Sequence, residues 1–369
     1  MPIRFDDDPR IVMTLDAGGT NLKFSAIRGN RLLTGPISLP SEADRLDRCL
    51  HNIVEGFERI RQSLPEAPVA LSFAFPGPAD YPAGIIANIG NLPAFRGGVA
   101  LGPMLQDRFG LPVFVNNDGD LFVYGESIAG FLPYVNGLLE SAGSPKRYRN
   151  LFGITLGTGL GGGIVYGGEL FLGDNSAGGE AWLLRNKLDP DSNAEEGASI
   201  RAVRRVYARE AGLPFEEAPE PEMIFEIGMG RAEGNRAAAR EAFRRLGEVA
   251  GDAVAQALTL VDGLAVIGGG IAGAHELFLP ALVEAVNGVF PVNGNPRLVA
   301  RVFNIEDATG CEAFLRSEVR RLTVPGSERQ VAYDPCPRTA IGISRLGTSE
   351  AVAIGAYAFA LSRLEQSAQ

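Results

Sequence analysis

The sequence predicts an α/β protein built as two related domains with a cleft between them. Three observations point there. Short apolar runs end on glycine clusters and alternate with helical stripes. The order strand, glycine turn, hairpin, helices and buried strand occurs once in each half, a weak duplication with a period well above 100 residues that suggests two layered units facing each other. Finally, 47 of the 369 residues are glycine, about one in eight, against a usual ~7%. They gather at the ends of apolar runs, unlike the Ser-rich low-complexity linkers that are the bland alternative. Glycine costs backbone entropy, so such clusters imply tight turns or a close approach of backbone to a ligand. The expected boundaries are 1–130 for the first domain and 131–349 for a larger second one. Within the second, residues 300–338 read as a peripheral insertion. An Ala-rich helix over about 350–369 can return to pack on the first domain.

Composition narrows the function. Hydrophobic residues make up 46% and charged residues 21%, which supports a large core and excludes wholesale disorder. Lys plus Arg number 34 against 44 Asp plus Glu, a net charge of −10, so a nucleic-acid partner is not expected. A small phosphorylated ligand arriving with a divalent metal remains compatible. Cys49, Cys311 and Cys336 are too few and too scattered for a disulfide framework or a Cys-x-x-Cys site, and they read as reduced thiols of a cytoplasmic protein. Residues 1–10 carry three consecutive aspartates and no apolar h-region, so no secretory signal is expected. The most apolar long stretch, 249–273, contains Asp252, Gln256 and Asp262 and reads as a buried helix-to-strand passage, not a membrane span.

In chain order, residues 11–15, 22–28 and 31–36 read as a three-stranded antiparallel meander with turns at 17–20 and 29–30. Ser41 can cap a helix whose apolar stripe is Leu46, Leu50, Ile53, Val54, Phe57 and Ile60. A strand over 69–75 stops at Pro76-Gly77-Pro78. A short helix at 101–109, a buried strand at 113–115 and a helix at about 121–131 complete the first half. The second half starts with a strand at 150–156, a glycine turn and a hairpin at 163–172. Helices are expected at 199–210, 221–229 and 235–260, then a strand at 264–267 and a helix at 276–286. A helix over 347–361 closes the chain.

Four constellations can carry chemistry. In Asp16-Ala17-Gly18-Gly19-Thr20 an acid ends a strand and two glycines turn the chain, so backbone N–H groups and the Thr20 hydroxyl can surround a phosphate. Asp16 would repel that phosphate unless Mg²⁺ lies between them; a plain Asp-Gly turn is the competing reading. Gly157-Thr158-Gly159-Leu160-Gly161-Gly162 fits Gly-x-Gly-x-x-Gly, but hairpin-like residues follow where a dinucleotide site needs a helix, and no P-loop sequence is present. Gly268-Gly269-Gly270 follows a buried strand, where a bare backbone can lie against adenine, or simply pack tightly. In Asn116-Asn117-Asp118, Asp118 at a strand's C-terminal end suits a general base for an alcohol proton, with Asn117 offering donor and acceptor beside it; a helix N-cap is the alternative.

Taken together and in this order, from about residue 11 to 360, these segments resemble the repressor/open-reading-frame/kinase (ROK) family of sugar kinases. The resemblance includes Phe75-Pro76-Gly77-Pro78-Ala79-Asp80 and Asn91-Leu92-Pro93, which look like the family's sugar-side loops. It implies two RNase H-like domains of the actin/hexokinase type with an interdomain cleft. It also implies roles: Asp16, Gly18, Gly19 and Thr20 in the first phosphate loop, Gly157, Thr158 and Gly159 in the second, and Gly268, Gly269 and Gly270 at the adenosine. Asp118 matches the catalytic base. Asn91, Asn117 and Glu180 match sugar contacts, and so does Glu195, with Glu196 as a possible substitute.

The departures are equally specific. Leu183 stands where the family places a histidine, and residues 185–194, where its zinc loop should lie, contain neither Cys nor His. Without thiolate or imidazole ligands no structural Zn²⁺ is expected. The first phosphate strand begins at residue 11, leaving no room ahead of it for the family repressors' helix-turn-helix. The expected function is therefore ATP- and Mg²⁺-dependent phosphorylation of a sugar hydroxyl, on a hexose in the manner of glucokinase. The alternative is a catalytically inactive sugar- or nucleotide-binding relative. A homodimer is what the family suggests.

Overall fold

The structure, a computed structural model, describes residues 5–77, 79–87, 93–316 and 319–367. The chain forms two compact units. One comprises Met1–Gly130, Glu169–Gly179 and Leu346–Gln369; the other comprises Phe131–Gly168 and Glu180–Arg345.

In the first unit, β1 (Val12–Ala17), β2 (Asn21–Arg28) and β3 (Arg31–Pro40) form an antiparallel meander, as their turn residues predict. Helix α1 (Leu46–Ser63) leads to β4 (Ala70–Ala74), which pairs in parallel with β1. The two-residue strands β5 (Ala79–Asp80) and β6 (Ile85–Ile86) pair with each other. Helix α2 (Leu101–Phe109), strand β7 (Val113–Asn116) and helix α3 (Asp118–Ile128) follow, giving the sheet order β3-β2-β1-β4-β7. Side chains alternate across the sheet. Met13, Leu15, Phe24, Leu71 and Phe73 share a core with Cys49, Ile53 and Phe57 of α1 and Leu101 and Leu105 of α2. On the other face Val12, Ile27 and Ala70 pack with Tyr357, Ala360 and Leu361 of the C-terminal helix, Thr348–Ser367.

Two local expectations are corrected here. Helix α1 starts at Leu46 behind Arg45, which supplies no side-chain cap. Glu42 adopts a positive φ of 42° and a turn from Arg45 N–H to Glu42 O intervenes, so Ser41 is too early to cap. The helix expected at about 121–131 is α3, which begins three residues earlier and stops at Ile128, and a separate helix, α4 (Phe131–Ser141), starts where the expected one ends. The chain breaks at Ala129 and Gly130, and Pro133 is tolerated in the first turn of the new helix.

The second unit continues from α4 with β8 (Leu151–Leu156) and β9 (Leu160–Tyr166), an antiparallel pair. Helices α5 (Ile200–Ala211), α6 (Pro221–Met229) and α7 (Arg236–Val261) precede β10 (Leu264–Gly268) and α8 (His275–Val286). Ser199 and Asn235 cap α5 and α7 by accepting from Ala202 N–H and Ala238 N–H, the roles their residue types predict. The unit is completed by β11 (Arg301–Asn304), α9 (Ala308–Leu315), β12 (Arg320–Thr323), β13 (Gln330–Tyr333) and β14 (Arg338–Ile343). Within this unit the strands run in the order β9-β8-β10-β14-β11. An antiparallel strand beside a run of parallel ones thus recurs in both units.

Residues 300–338 are not wholly peripheral, contrary to the expectation. β11 is the parallel edge strand of the main sheet, and buried Phe314 of α9 receives the Arg338 Nε–H on its carbonyl. Only the exposed β12–β13 hairpin has the character of an addition. A four-residue edge strand burying chiefly Val302 leaves too short a pattern to read. Among the described residues no helix is long and apolar enough to cross a membrane.

Candidate active site

In the first unit, parallel pairing sets Asp16 level with Ala74 and Ala74 level with Asn116. Asp16 and the Asn116-Asn117-Asp118 segment therefore leave the same edge of the sheet two strands apart, about 10 Å at the usual strand spacing. The first glycine turn is closed by Gly18 N–H donating to Asn21 O at 2.9 Å and gripped by Ser41, whose N–H donates to Thr20 O at 3.0 Å and whose hydroxyl donates to Gly19 O. Gly18, Gly19 and Thr20 are exposed.

Asp16 is only half-buried by surface area, yet burial is the largest influence on it and pushes its carboxyl up from the ordinary range. Lys23, its cross-strand partner, and the Ser349 hydroxyl, 3.3 Å from Oδ2, pull the other way. A carboxylate in that position is short of positive charge. It fits Mg²⁺, which takes one or two carboxylates and completes its shell with phosphate oxygens and water. Among the described residues no group of three or more His, Cys, Asp or Glu gathers to cage a metal, and a Mg²⁺ brought by a nucleotide needs no cage.

Asn117 caps α3: its Oδ1 accepts from Gly119 N–H at 2.7 Å. Its Nδ2 donates to the Tyr81 hydroxyl at 3.4 Å, and that hydroxyl donates to Phe75 O at 3.1 Å. A Cβ on Gly77 would lie 2.9 Å from the same hydroxyl, which explains glycine there. Asp118, the first residue of α3, is exposed, with Oδ1 2.9 Å from Gly119 N. The cap reading and the base reading of this segment are thus divided between neighbours, Asn117 capping and Asp118 presented outward. Asn91 and Pro78 lie outside the described residues.

In the second unit, Thr155 of β8 is level with Gly268 of β10. The turn Gly157–Thr158–Gly159 and the segment Gly268–Gly269–Gly270 therefore emerge from adjacent strands. Gly269 has φ +88°, and a Cβ there would strike the Leu156 backbone, whereas nothing lies within 4 Å of one on Gly270. A closed side against β8 and an open side beyond it suit a flat ring. Thr158 is exposed, and β9 follows the turn where a dinucleotide fold would place a helix.

Glu180 accepts from the Trp182 indole N–H on Oε2. Leu183 is 59% exposed, presenting an aliphatic surface at the position where the family resemblance places a histidine. Hydrogen bonds organise the stretch where the family's zinc loop would lie. Buried Asn186 accepts on Oδ1 from Leu188 N–H and Asp189 N–H (2.9 and 3.3 Å) and donates its own N–H to Ser192 O, while Ala194 N–H closes onto Leu184 O.

The ROK family model matches residues 12–309. The chain belongs to the ROK family. This ROK protein is similar over nearly its whole length to a glucokinase from Parabacteroides distasonis: the crystal structure superposes with a TM-score of 0.88 at 54% identity, covering 97% of this chain and 99% of that one. A glucokinase from Streptomyces coelicolor is 27% identical over 316 residues, covering 79% of this chain and 92% of the relative. The crystal structure of a Streptomyces griseus ROK glucokinase in complex with glucose and AMPPNP shares the fold, with a TM-score of 0.61 at 20% identity over 94% of this chain and 98% of that one. With these relatives, this ROK protein is an ATP-dependent sugar kinase.

Three participants were not singled out from sequence. Lys23 opposite Asp16 could have been found by counting the ladder back from the Gly18–Asn21 turn. Ser349, 333 residues from Asp16, and Tyr81, 36 from Asn117, carry no local signal.

Proposed function

We propose that this ROK kinase phosphorylates a hydroxyl of a hexose, glucose foremost, with Asp118 as general base. The observation that carries the reading is the placement of Asp118: exposed, first in its helix, with its neighbour Asn117 tied down by Gly119 and Tyr81, at the sheet edge that also bears Asp16. ATP, when bound, supplies the phosphoryl group. The turns Gly18–Thr20 and Gly157–Gly159 would hold its phosphates through the Thr20 and Thr158 hydroxyls and the N–H groups that do not close the turns themselves, as those of Gly18 and Gly157 do. Asp16 would face Mg²⁺, and Gly268–Gly270 would face adenine. Asp118 takes the proton from the acceptor hydroxyl, while Asn91, Asn117 and Glu180 orient the sugar. Phosphoryl transfer asks for positioning and charge neutralisation more than covalent chemistry from the protein. The glucose and AMPPNP in the Streptomyces griseus complex support the substrate pair. The proposed compartment is the cytoplasm. For the homodimer implied by the family, light scattering should give twice the chain mass.

Coupled ADP release against a panel of glucose, mannose, fructose and N-acetylglucosamine, with Mg²⁺, tests this. Glucose should give the highest kcat/KM. Sugar binding with no ADP above the sugar-free rate across the panel would make the chain a silent binder.

Asp16 gives a second prediction. Its native carboxyl binds a proton more tightly than in the unfolded chain, so its contribution to stability is full below the unfolded value, about 3.9. That contribution is lost as pH rises through the higher native value. Asp16→Asn should therefore melt at higher temperature than the parent at pH 7, with the gap closing in acid. Added Mg²⁺–ADP should raise the parent's melting point more than the variant's. A variant less stable at pH 7 yet equally stabilised by Mg²⁺–ADP would refute the metal-facing role.

A further inference from the structure

We propose that Glu195 is a positioning residue for the second glycine turn and through it sets nucleotide affinity, an inference that rests on reading this turn as a phosphate loop. The turn is three residues long, since Leu156 and Leu160 are the last paired residues of β8 and β9. Internally it has one hydrogen bond, Gly157 N–H to Gly159 O at 3.0 Å. Two glycines in three residues leave such a turn many conformations, and a phosphate cradle needs one.

The missing constraint comes from residues 195–200. Glu195 Oε2 accepts the Leu160 N–H at 3.1 Å, and Ile200 N–H donates to Gly157 O at 2.8 Å, so the turn is held at both ends. The carboxylate also fills the space a side chain on Gly159 would need: a Cβ there would lie 2.5 Å from Oε2. Gly159 has no positive φ, so what a side chain there would disturb is the Glu195 carboxylate and not the backbone conformation.

Glu195 is itself fixed. It sits in the single 3₁₀ turn Ala194–Glu196, capped by Asn193, with Ala194, Ala198 and Ser199 fully buried around it and the Asn186-organised loop behind. Its other oxygen, Oε1, lies 4.0 Å from Arg201 Nη2, while its neighbour Glu196 pairs with the same Arg201 and, at 2.9 Å, with Arg205. Of the two glutamates, Glu195 is the one whose carboxylate accepts the Leu160 N–H. A carboxylate receiving a backbone N–H is among the stronger hydrogen bonds.

The test is titration of Mg²⁺–AMPPNP by calorimetry, without sugar, into the full-length parent, Glu195→Ala, Glu195→Gln, Gly159→Ala and the Gly159→Ala/Glu195→Ala double variant. Losing a charge-assisted hydrogen bond predicts about tenfold weaker nucleotide binding for Glu195→Ala. Glu195→Gln, whose amide oxygen can still accept the Leu160 N–H, should recover most of it. Gly159→Ala should weaken binding in the parent but add little in the Glu195→Ala background, because the atom it strikes is gone. In turnover, KM for ATP should rise more than kcat falls. Unchanged nucleotide affinity in Glu195→Ala with weakened glucose binding would reduce Glu195 to a sugar ligand and overturn the inference, as would full additivity of the two substitutions. A parent that binds glucose but no nucleotide would instead defeat the phosphate-loop reading itself. If Glu195→Ala does not fold, Gly159→Ala alone decides, since nucleotide affinity equal to the parent's would show that the carboxylate can leave without consequence.

Discussion

Asp118→Asn is expected to lower kcat for sugar phosphorylation by about 10²–10⁴-fold or more, the usual contribution of a positioned general base, with little change in sugar affinity. The substitution is close to isosteric. It leaves the start of α3 intact, because Gly119 N–H is already accepted by Asn117 Oδ1 at 2.7 Å. What it removes is the only function proposed for Asp118, taking the proton as the acceptor oxygen attacks. An interaction needed only in the transition state lowers kcat and kcat/KM together and leaves KM in place. Steady-state kinetics with glucose and ATP, beside glucose binding by calorimetry, separate this from a disturbed pocket. Turnover near that of the parent would mean another group accepts the proton, and raised KM with unchanged kcat would make Asp118 a binding residue.

What is legible in the sequence follows the distance over which each signal acts. The meander of β1–β3, the helix starts near 199 and 235, and the positions of Asp16 and Asp118 at strand ends rest on residues within a few positions of one another, and each stands as read. Contacts made by folding were invisible: the Ser349 hydroxyl on Asp16, Tyr81 beneath Asn117, the Glu195 carboxylate on Leu160 N–H. Intermediate cases failed for a definable reason. β11 has four residues and little beyond Val302 to show periodicity, so its charged neighbours dominated the reading. The α3–α4 boundary was lost because both helices are almost wholly apolar on several faces, which hides a break that Gly130 and Pro133 mark only in hindsight.

The same apolar character of α3 bears on how Asp118 is held, and on the second large effect. Helix α3 and the C-terminal helix lie against each other through a reciprocal pair of glycines. A Cβ on Gly125 would strike the Ala351 carbonyl, and one on Gly355 would strike the Leu121 carbonyl. Backbone meets backbone at both points, so no side chain can swing away to make room. Buried Glu126 adds a second tie by accepting Leu346 N–H at 3.2 Å, just ahead of the C-terminal helix. Gly355→Val should force the helices apart, at a cost of about 3 kcal/mol or more, and lower the melting midpoint by roughly 5–10 °C. Since Asp118 begins α3, kcat should fall in the fraction that remains folded, whereas nucleotide affinity, assigned to glycine turns on other elements, should fall less. The measurement is a thermal melt followed by kinetics well below the midpoint. A Gly355→Val protein that melts with the parent and turns over at its rate would show that the helix crossing can open without moving the base, and that Asn117 and Tyr81 alone fix the position of Asp118.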